Sequence, residues 1–565
     1  MTDRTDAEAA LGDGDFDEDA LYFLPLGGAG EIGMNLNLYG HAGRWLMVDL
    51  GVSFGDETTP GIDVLMPDPA FIAERAEDLV GLVITHAHED HLGAIQYLWP
   101  ELRCPIYATP FAASVLRNKL RERELDRRVQ IIEVAPGERW PVGPFDLELV
   151  AVTHSVPEPN ALVIRTPAGT VVHSGDWKLD PDPVIGPTAD EAALQALGHQ
   201  GVTALVCDST NALVPGHSGS EAAVAKSFEE LFGLYEGKRI AVSCFATNVA
   251  RLHSVAVAAA AHDRHVALVG RSLWRINEAA RANGYLTDLP PFVTERDAGF
   301  LPREKTVLIC TGSQGEPRAA LSRIAAGDHP EVDLEPGDVV IFSSREIPGN
   351  ERAIANVQNG LIRRGIEVLT ADDAFVHVSG HPCRDELARM YQLVRPQIAI
   401  PVHGERRHLQ AHAQLALSCQ VGQALIPEDG AVIRLAPGPA EIVGHVHAGR
   451  LCVDGKKIVP LNGNAMRSRA RMSYSGAAVA TLVLNERGEL LADPKLAVMG
   501  LLDGEEDEAD LEDAIEAVRR AVESIPLSQR RDDTAIREAA RIAVRRSFNA
   551  SQGRKPVTEI HLVRV

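Results

Sequence analysis

Thr85-His86-Ala87-His88-Glu89-Asp90-His91-Leu92-Gly93 brings three imidazoles and the carboxylate of Asp90 within six positions. It follows the apolar run Leu79-Val80-Gly81-Leu82-Val83-Ile84, which reads as a buried strand of a layered α/β domain. His86 and His88 lie two apart, so in an extended segment both rings leave the same side. Asp90 and His91 begin the next element, a helix expected through Leu92 to Leu98. One stretch thus offers two adjoining sets of donors. Imidazole mixed with carboxylate suits Zn²⁺ or Mn²⁺ holding an open position. A solvated loop would account for a lone histidine but not for this density.

The strand-then-ligand pattern recurs in both directions along the chain. Arg44-Trp45-Leu46-Met47-Val48 ends at Asp49, Leu149-Val150-Ala151-Val152-Thr153 at His154, and Thr170-Val171-Val172-His173-Ser174-Gly175 at Asp176. His86, His154 and Asp176 are therefore expected in one site, with His173 a bystander. Val202 to Cys207 delivers Asp208, and the runs before His381 and His403 repeat the plan. Between them Leu387, Met390, Tyr391 and Val394 are spaced for one buried helix face, which makes a βαβ unit. Gly28, Gly30 and Gly33 satisfy GxGxxG, but that fingerprint requires a helix directly afterwards. Asn35-Leu36-Asn37-Leu38-Tyr39 alternates like a strand instead, so the glycines are expected to let backbone approach a buried centre.

Between 210 and 372 strands alternate with helices, which predicts a second parallel sheet. A Ser218 to Glu221 capping box is expected to open its first helix. The loops Phe245-Ala246-Thr247-Asn248, Thr311-Gly312-Ser313-Gln314-Gly315 and Ser343-Ser344-Arg345 follow apolar strands and offer backbone N–H groups suited to phosphate. After Arg450 a polar joint leads to a tail with a strand at 479–484, a helix with Leu511, Ile515, Val518, Val522 and Ile525 on one face, a second helix at about 533–548, and a last strand at 557–565.

At 565 residues the chain exceeds one core, and its 45% hydrophobic and 24% charged content is that of a soluble globular protein. No apolar run is long enough to span a bilayer, and the acidic first twenty residues lack the plan of a signal peptide. Seven cysteines, scattered without a CxxC pair, fit reduced residues in the cytoplasm and exclude a disulfide scaffold. The net charge of -24 argues against a protein that coats nucleic acid, but much of the acid lies at the ends and leaves a local basic groove open.

Taken together, Asp49, His86, His88, Asp90, His91, His154 and Asp176 resemble the metal motifs of the metallo-β-lactamase superfamily. Asp208, His381 and His403 look like the additional motifs of its β-CASP nucleases. Gly-Gly-x-Gly-Glu-Ile-Gly-Met-Asn, His-Val-Ser-Gly-His and Pro-Val-His-Gly-Glu are similar to those of the bacterial ribonuclease J family over about 21–450, with the tail matching by position only. The resemblance implies an αββα sandwich with an inserted parallel α/β β-CASP domain and a small α/β C-terminal domain. The boundaries expected are an acidic disordered lead-in at 1–20, the lactamase-type domain at 21–209 and 373–450, the insert at 210–372, a linker at 451–474 and the C-terminal domain at 475–565.

It also implies two Zn²⁺, with Mn²⁺ or Mg²⁺ able to support activity, and hydroxide attack on a phosphodiester. One ion would take His86, His88, His154 and Asp176, the other Asp90, His91, His403 and the shared Asp176. Asp49 would orient ligands, and His381, steered by Asp208, would donate a proton to the leaving oxygen. Phosphates would be held by His377, Val378, Ser379, Gly380 and His381 with Phe245, Ala246, Thr247, Ser344 and Arg345. Arg251, Arg345, Arg384, Arg406 and Arg407 are expected in the walls. The implied substrate is single-stranded RNA with a 5′-monophosphate, degraded 5′ to 3′ with possible endonucleolytic cleavage in RNA maturation and mRNA decay. The implied partners are a second copy, as homodimer or homotetramer, and other RNA-decay proteins, with no membrane. The competing classes are a chiefly endonucleolytic relative, a DNA-acting relative, a small-molecule hydrolase and a non-catalytic RNA-binding subunit. His403 favours RNA over DNA by the family pattern, the insert disfavours a small substrate, and the full ligand set disfavours a dead subunit.

Overall fold

A computed structural model describes residues 16–56, 58–347, 349–504 and 507–565. Most of the expected lead-in lies outside the described residues; at its end, Phe16 lies edge-on to Tyr22 and Trp45. The chain divides into two compact units, the first comprising 1–53 and 66–449, the second 54–65 and 450–565.

The first unit is built on three large sheets, with a two-stranded one of Ala29–Gly30 and Gly404–Glu405 besides. An eight-stranded sheet runs in the order Glu441–His445, Ala431–Ala436, Leu21–Gly27, Leu36–His41, Arg44–Val48, Leu79–Val83, Ile106–Ala108, Ile131–Glu133. A seven-stranded sheet faces it, with Phe145–Ala151, Asn160–Thr166, Gly169–His173, Val202–Asp208 and Pro396–Val402 at its centre. Alternate residues of both sheets meet between them: Phe23, Tyr39, Leu46 and Val83 from one, Leu147, Leu162, Val171, Val206 and Ile400 from the other. The opposite faces of the second sheet's strands, at Val150, Val163, Val172 and Leu205, are covered by Leu387, Met390, Tyr391 and Ala416 from helices. Two periodicities, two for strands and 3.6 for helices, thus generate the αββα sandwich.

The third sheet has six strands, all parallel, in the order Val293–Thr294, His265–Val269, Thr306–Cys310, Ile240–Ser243, Val339–Phe342, Glu367–Leu369. It lies within the expected insert. The box read at Ser218 to Glu221 is displaced: Ser220 is the cap, accepting from Ala222 N–H, while the Ser218 hydroxyl donates to Glu386. Glu221 is drawn away by a buried arginine, Arg251, which a local pattern cannot reveal. The helix expected from 92 to 98 comes as Glu89–Leu92 and Ile95–Leu102.

The second unit carries a three-stranded sheet in which Ala477–Leu484 lies between Lys495–Met499, antiparallel, and Val557–Arg564, parallel. Helices Glu508–Glu523 and Asp533–Ser551 cover it through Ala514, Val518, Val522, Ala540, Val544 and Phe548. The joint expected at 451–474 is regular structure instead, a hairpin of Arg450–Asp454 with Lys457–Pro460 and a helix Asn464–Ser475. That helix buries only Met466, so it has no apolar stripe from which to read it.

Candidate metal centre

Parallel register delivers the histidines and aspartates to one edge. Val48 lies opposite Val83, so Asp49 and the Ile84-Thr85-His86 exit emerge side by side. Asp208 lies opposite Val402 and His173 opposite Val206, so Asp176, Asp208 and His403 leave neighbouring strands in the same direction. Asp49 and His403 both adopt left-handed backbone, at φ of 62° and 52°, the kind of strain that collects at functional positions.

Two sets of donors converge there and share Asp176. In the first, His86 Nε2 and His154 Nε2 lie 3.1 and 3.0 Å from His88 Nδ1, and each is 3.7 Å from Asp176 Oδ2. In the second, His91 Nε2 and His403 Nε2 lie 3.2 and 3.6 Å from Asp176 Oδ2, and both are 3.7 Å from Asp90 Oδ2. Bonds of 2.0–2.1 Å at tetrahedral angles imply ligand separations of about 3.3 Å, so both sets are spaced for a four-coordinate cation. His403 Nε2 is buried without a hydrogen-bond partner, the mark of a nitrogen that awaits an ion.

The far sides of these rings are already committed, which fixes their tautomers. His154 Nδ1 donates to Gly380 O at 2.6 Å, and His91 Nδ1 to Asp49 Oδ2 at 2.7 Å. The other Asp49 contacts come from the Thr85 N–H and hydroxyl at 2.8 and 2.9 Å, and the same hydroxyl accepts from His86 Nδ1 at 3.0 Å. Asn35, not singled out from the sequence, joins the second set: its Oδ1 accepts from His403 Nδ1 at 3.1 Å, and its Nδ2 lies 3.2 Å from His91 Nε2. The only sequence signal was its place at the end of the Gly-Glu-Ile-Gly-Met-Asn match. Two glycines admit this closeness: a Cβ on Gly51 would sit 1.6 Å from Asp90 O, and one on Gly380 2.7 Å from the His154 ring.

Burial, reinforced by neighbouring imidazoles, pushes His86 and His154 well below the usual histidine range and His88 down to about 4. Burial acts the same way on His91, but Asp176, Asp90 and Asp49 more than offset it and raise His91 well above that range. His381 stands beside the donors with Nδ1 2.8 Å from Asp208 Oδ2 and 3.8 Å from Asp176 Oδ2. Burial opposes its charge, yet Asp208 and Asp176 prevail and raise it to about 9. His173 lies apart, hydrogen-bonded to the Tyr39 hydroxyl at 2.9 Å.

The loop before His381 is pinned by a second residue the sequence reading passed over. Asn211 Nδ2 donates to Ser379 Oγ at 2.8 Å and to His381 O at 3.0 Å, while its Oδ1 accepts from Arg345. His377 has both ring nitrogens buried without a partner, and burial with the nearby cations Arg251, Arg345 and Lys178 depresses its basicity strongly. Val378 is buried, as is Ser344; Phe245, Ala246 and Thr247 form a half-buried loop after Ile240–Ser243. Arg251 is no wall residue: it is fully buried, pairs with Glu221 at 3.0 Å and donates to the carbonyls of Ser343 and Val376. Arg384 is turned to Ala212 O, and Arg406 and Arg407 pair with Glu428 and Glu405, so Arg345 is the expected wall cation that reaches the His381 loop.

Four family models match the chain: a beta-lactamase superfamily domain at 44–226, the ribonuclease J beta-CASP domain at 237–361, a Zn-dependent metallo-hydrolase RNA specificity domain at 366–420 and the ribonuclease J C-terminal domain at 464–565. Ribonuclease J of Sinorhizobium meliloti is 46% identical over 97% of this chain and 98% of its own. The chain belongs to the ribonuclease J family. The Mycolicibacterium smegmatis ribonuclease J is 38% identical over 94% of this chain and 95% of its own, and that of Helicobacter pylori 35% identical over 86% and 71%. A solved Enterococcus faecalis protein of unknown function shares the fold, with a TM-score of 0.53 at 16% identity over 74% of this chain and all of that one. Membership in ribonuclease J with a metallo-β-lactamase domain makes the chain a hydrolytic, RNA-directed nuclease of a Zn-dependent class. Among the described residues no helix is long and apolar enough to cross a membrane.

Proposed function

We propose that this ribonuclease J acts in the cytoplasm as a 5′ to 3′ exoribonuclease on single-stranded, 5′-monophosphorylated RNA, with endonucleolytic cleavage as a second mode, in RNA maturation and mRNA decay. It works as a homodimer or homotetramer, alongside other RNA-decay proteins. His86, His88, His154 and Asp176 would hold one cation, and Asp90, His91, His403 and Asp176 the other, with Zn²⁺ the resident ion and Mn²⁺ or Mg²⁺ able to support turnover. When bound, two such ions supply Lewis acidity and positive charge toward the phosphodiester.

The chain's own groups do the rest. His381, held by Asp208 and carrying its proton at neutral pH, protonates the leaving oxygen through its outer ring nitrogen. Asn211 fixes the backbone of His381, so the donor is aimed before substrate arrives. The observation that supports the 5′-end preference is His377, whose two orphaned nitrogens lie beside Ser379 and Gly380 and near Arg345. Among the described residues, Arg345 is the one of its neighbouring cations that no carboxylate engages, since Arg251 pairs with Glu221 and Lys178 with Asp180. That is an environment for an anion, which a terminal phosphate fits better than an internal diester of lower charge.

The test is digestion of one RNA bearing either a 5′-monophosphate or a 5′-triphosphate, labelled at each end in turn, by wild type and His381→Ala in Mn²⁺. Mononucleotides released from the monophosphate end, with at least a hundredfold loss in the variant, are expected. Internal fragments indifferent to the 5′ group would make the enzyme chiefly an endonuclease and remove the phosphate role from His377.

A further inference from the structure

In a chain of net charge -24, residues 450–475 carry six cations (Arg450, Lys456, Lys457, Arg467, Arg469 and Arg471) against one anion, Asp454. The helix Asn464–Ser475 has no acidic residue, and Met466 is its one buried side chain. Arg467 and Arg471 stand one turn apart on the same face, a like-charge pair that weakens a helix left in water. Tyr474, three residues beyond Arg471 on that face, is 75% exposed.

The hairpin before the helix adds to the same patch. Asp454 lies opposite Lys457 in register, and Arg469 donates to Asp454 Oδ2 at 2.8 Å, which brings the helix to the hairpin tip with Lys456 and Lys457. The lone carboxylate is thereby engaged by Arg469. Among the described residues no carboxylate pairs with Lys456, Lys457, Arg467 or Arg471, all of them exposed. Four arginines elsewhere in the same unit do have carboxylate partners: Arg519 and Arg520 with Glu516, Arg541 with Glu538, Arg564 with Asp533.

We infer that this hairpin and helix form a second RNA-binding surface, which takes the phosphate backbone of single-stranded RNA without regard to sequence and stacks a base on Tyr474. Unpaired lysines and arginines around an exposed aromatic ring are the elements of single-strand recognition, and a phosphate chain removes the repulsion within the helix. The inference rests on the RNA reading of the metal centre and adds a site for the body of long substrates.

The experiment compares the full-length wild type with a variant combining Lys456→Gln, Lys457→Gln, Arg467→Gln and Arg471→Gln, and with Tyr474→Ala. Binding of a labelled 40-nucleotide single-stranded RNA is followed by anisotropy in EDTA across a salt series, and cleavage of a trinucleotide is assayed with Mn²⁺. The expected results are a loss of more than tenfold in affinity for the long RNA, a shallower salt dependence by about 0.7 per phosphate contact removed, and unchanged trinucleotide cleavage. Tyr474→Ala should weaken long-RNA binding about fivefold or more at an unchanged salt slope. Equal affinity and slope in the charge variant would overturn the surface, and so would a loss that follows a change in sedimentation, which would make it an interface between copies. A wild type that binds the long RNA yet cleaves neither substrate would count against the nuclease reading alone, since the binding comparison still decides the patch.

Discussion

Within the centre the histidines fall into two electrostatic classes, although the rings are neighbours. His86, His88 and His154 are held neutral near pH 7 by burial, reinforced by the imidazoles around them, so loading a cation there displaces no proton. His91 faces Asp176, Asp90 and Asp49 and keeps its proton well above the usual range, so a cation on its side must expel that proton. Because the metal-free form binds the extra proton, affinity on the His91 side strengthens as pH rises through neutrality, while the His88 side stays flat down to about 4. Protein dialysed against limiting Zn²⁺ at pH 6, 7 and 8 should therefore retain one equivalent throughout and gain the second only toward pH 8. Two equivalents that rise in parallel would show that the classes do not survive ion binding.

Strands and helices explain which parts of this arrangement are legible from sequence. Apolar runs ending in His or Asp were readable where their strands end at one edge, whereas the run expected as a strand before His381 is irregular, with no strand between Glu367–Leu369 and Arg384–Val394. Asp49, His86, His154, Asp176, Asp208 and His403 are all delivered to that edge. What orients them was not readable, since Asn35 and Asn211 act across 368 and 170 residues of chain through side-chain hydrogen bonds that no local pattern marks. Arg251 shows the same limit: as one residue on a helix it looked like a surface cation. In the fold it joins Glu221 at the start of one helix to the ends of Val339–Phe342 and the segment at Val376. Removing one partner of a buried pair typically costs about 3–5 kcal/mol, so Arg251→Ala should lower the denaturation midpoint markedly. Replacing both partners, Arg251→Met with Glu221→Leu, should recover most of that loss. Urea unfolding of the three proteins checks this, and a double variant as unstable as the single one would show that the carbonyl contacts, not the ion pair, are what matter.

On the scale of the whole chain, the division into units does not follow the order of the sequence. Residues 54–65 interrupt the metal-bearing unit yet belong with the C-terminal one, where Val64–Pro67 sits between Arg450–Asp454 and Ser53–Phe54 in a four-stranded sheet. A chain ended after residue 449 therefore loses the strand that hydrogen-bonds Val64–Pro67 but keeps the cores that carry every metal-site donor. An edge left unpaired exposes backbone and opens easily. The truncated protein should bind metal in the wild-type ratio while becoming more sensitive to protease within 54–65 than the full chain. Mass spectrometry after brief digestion, with metal content measured on the same sample, separates the outcomes. Protection at 54–65 would mean that the first unit holds the segment by itself, and loss of metal would mean that the strand outside its borders supports the centre.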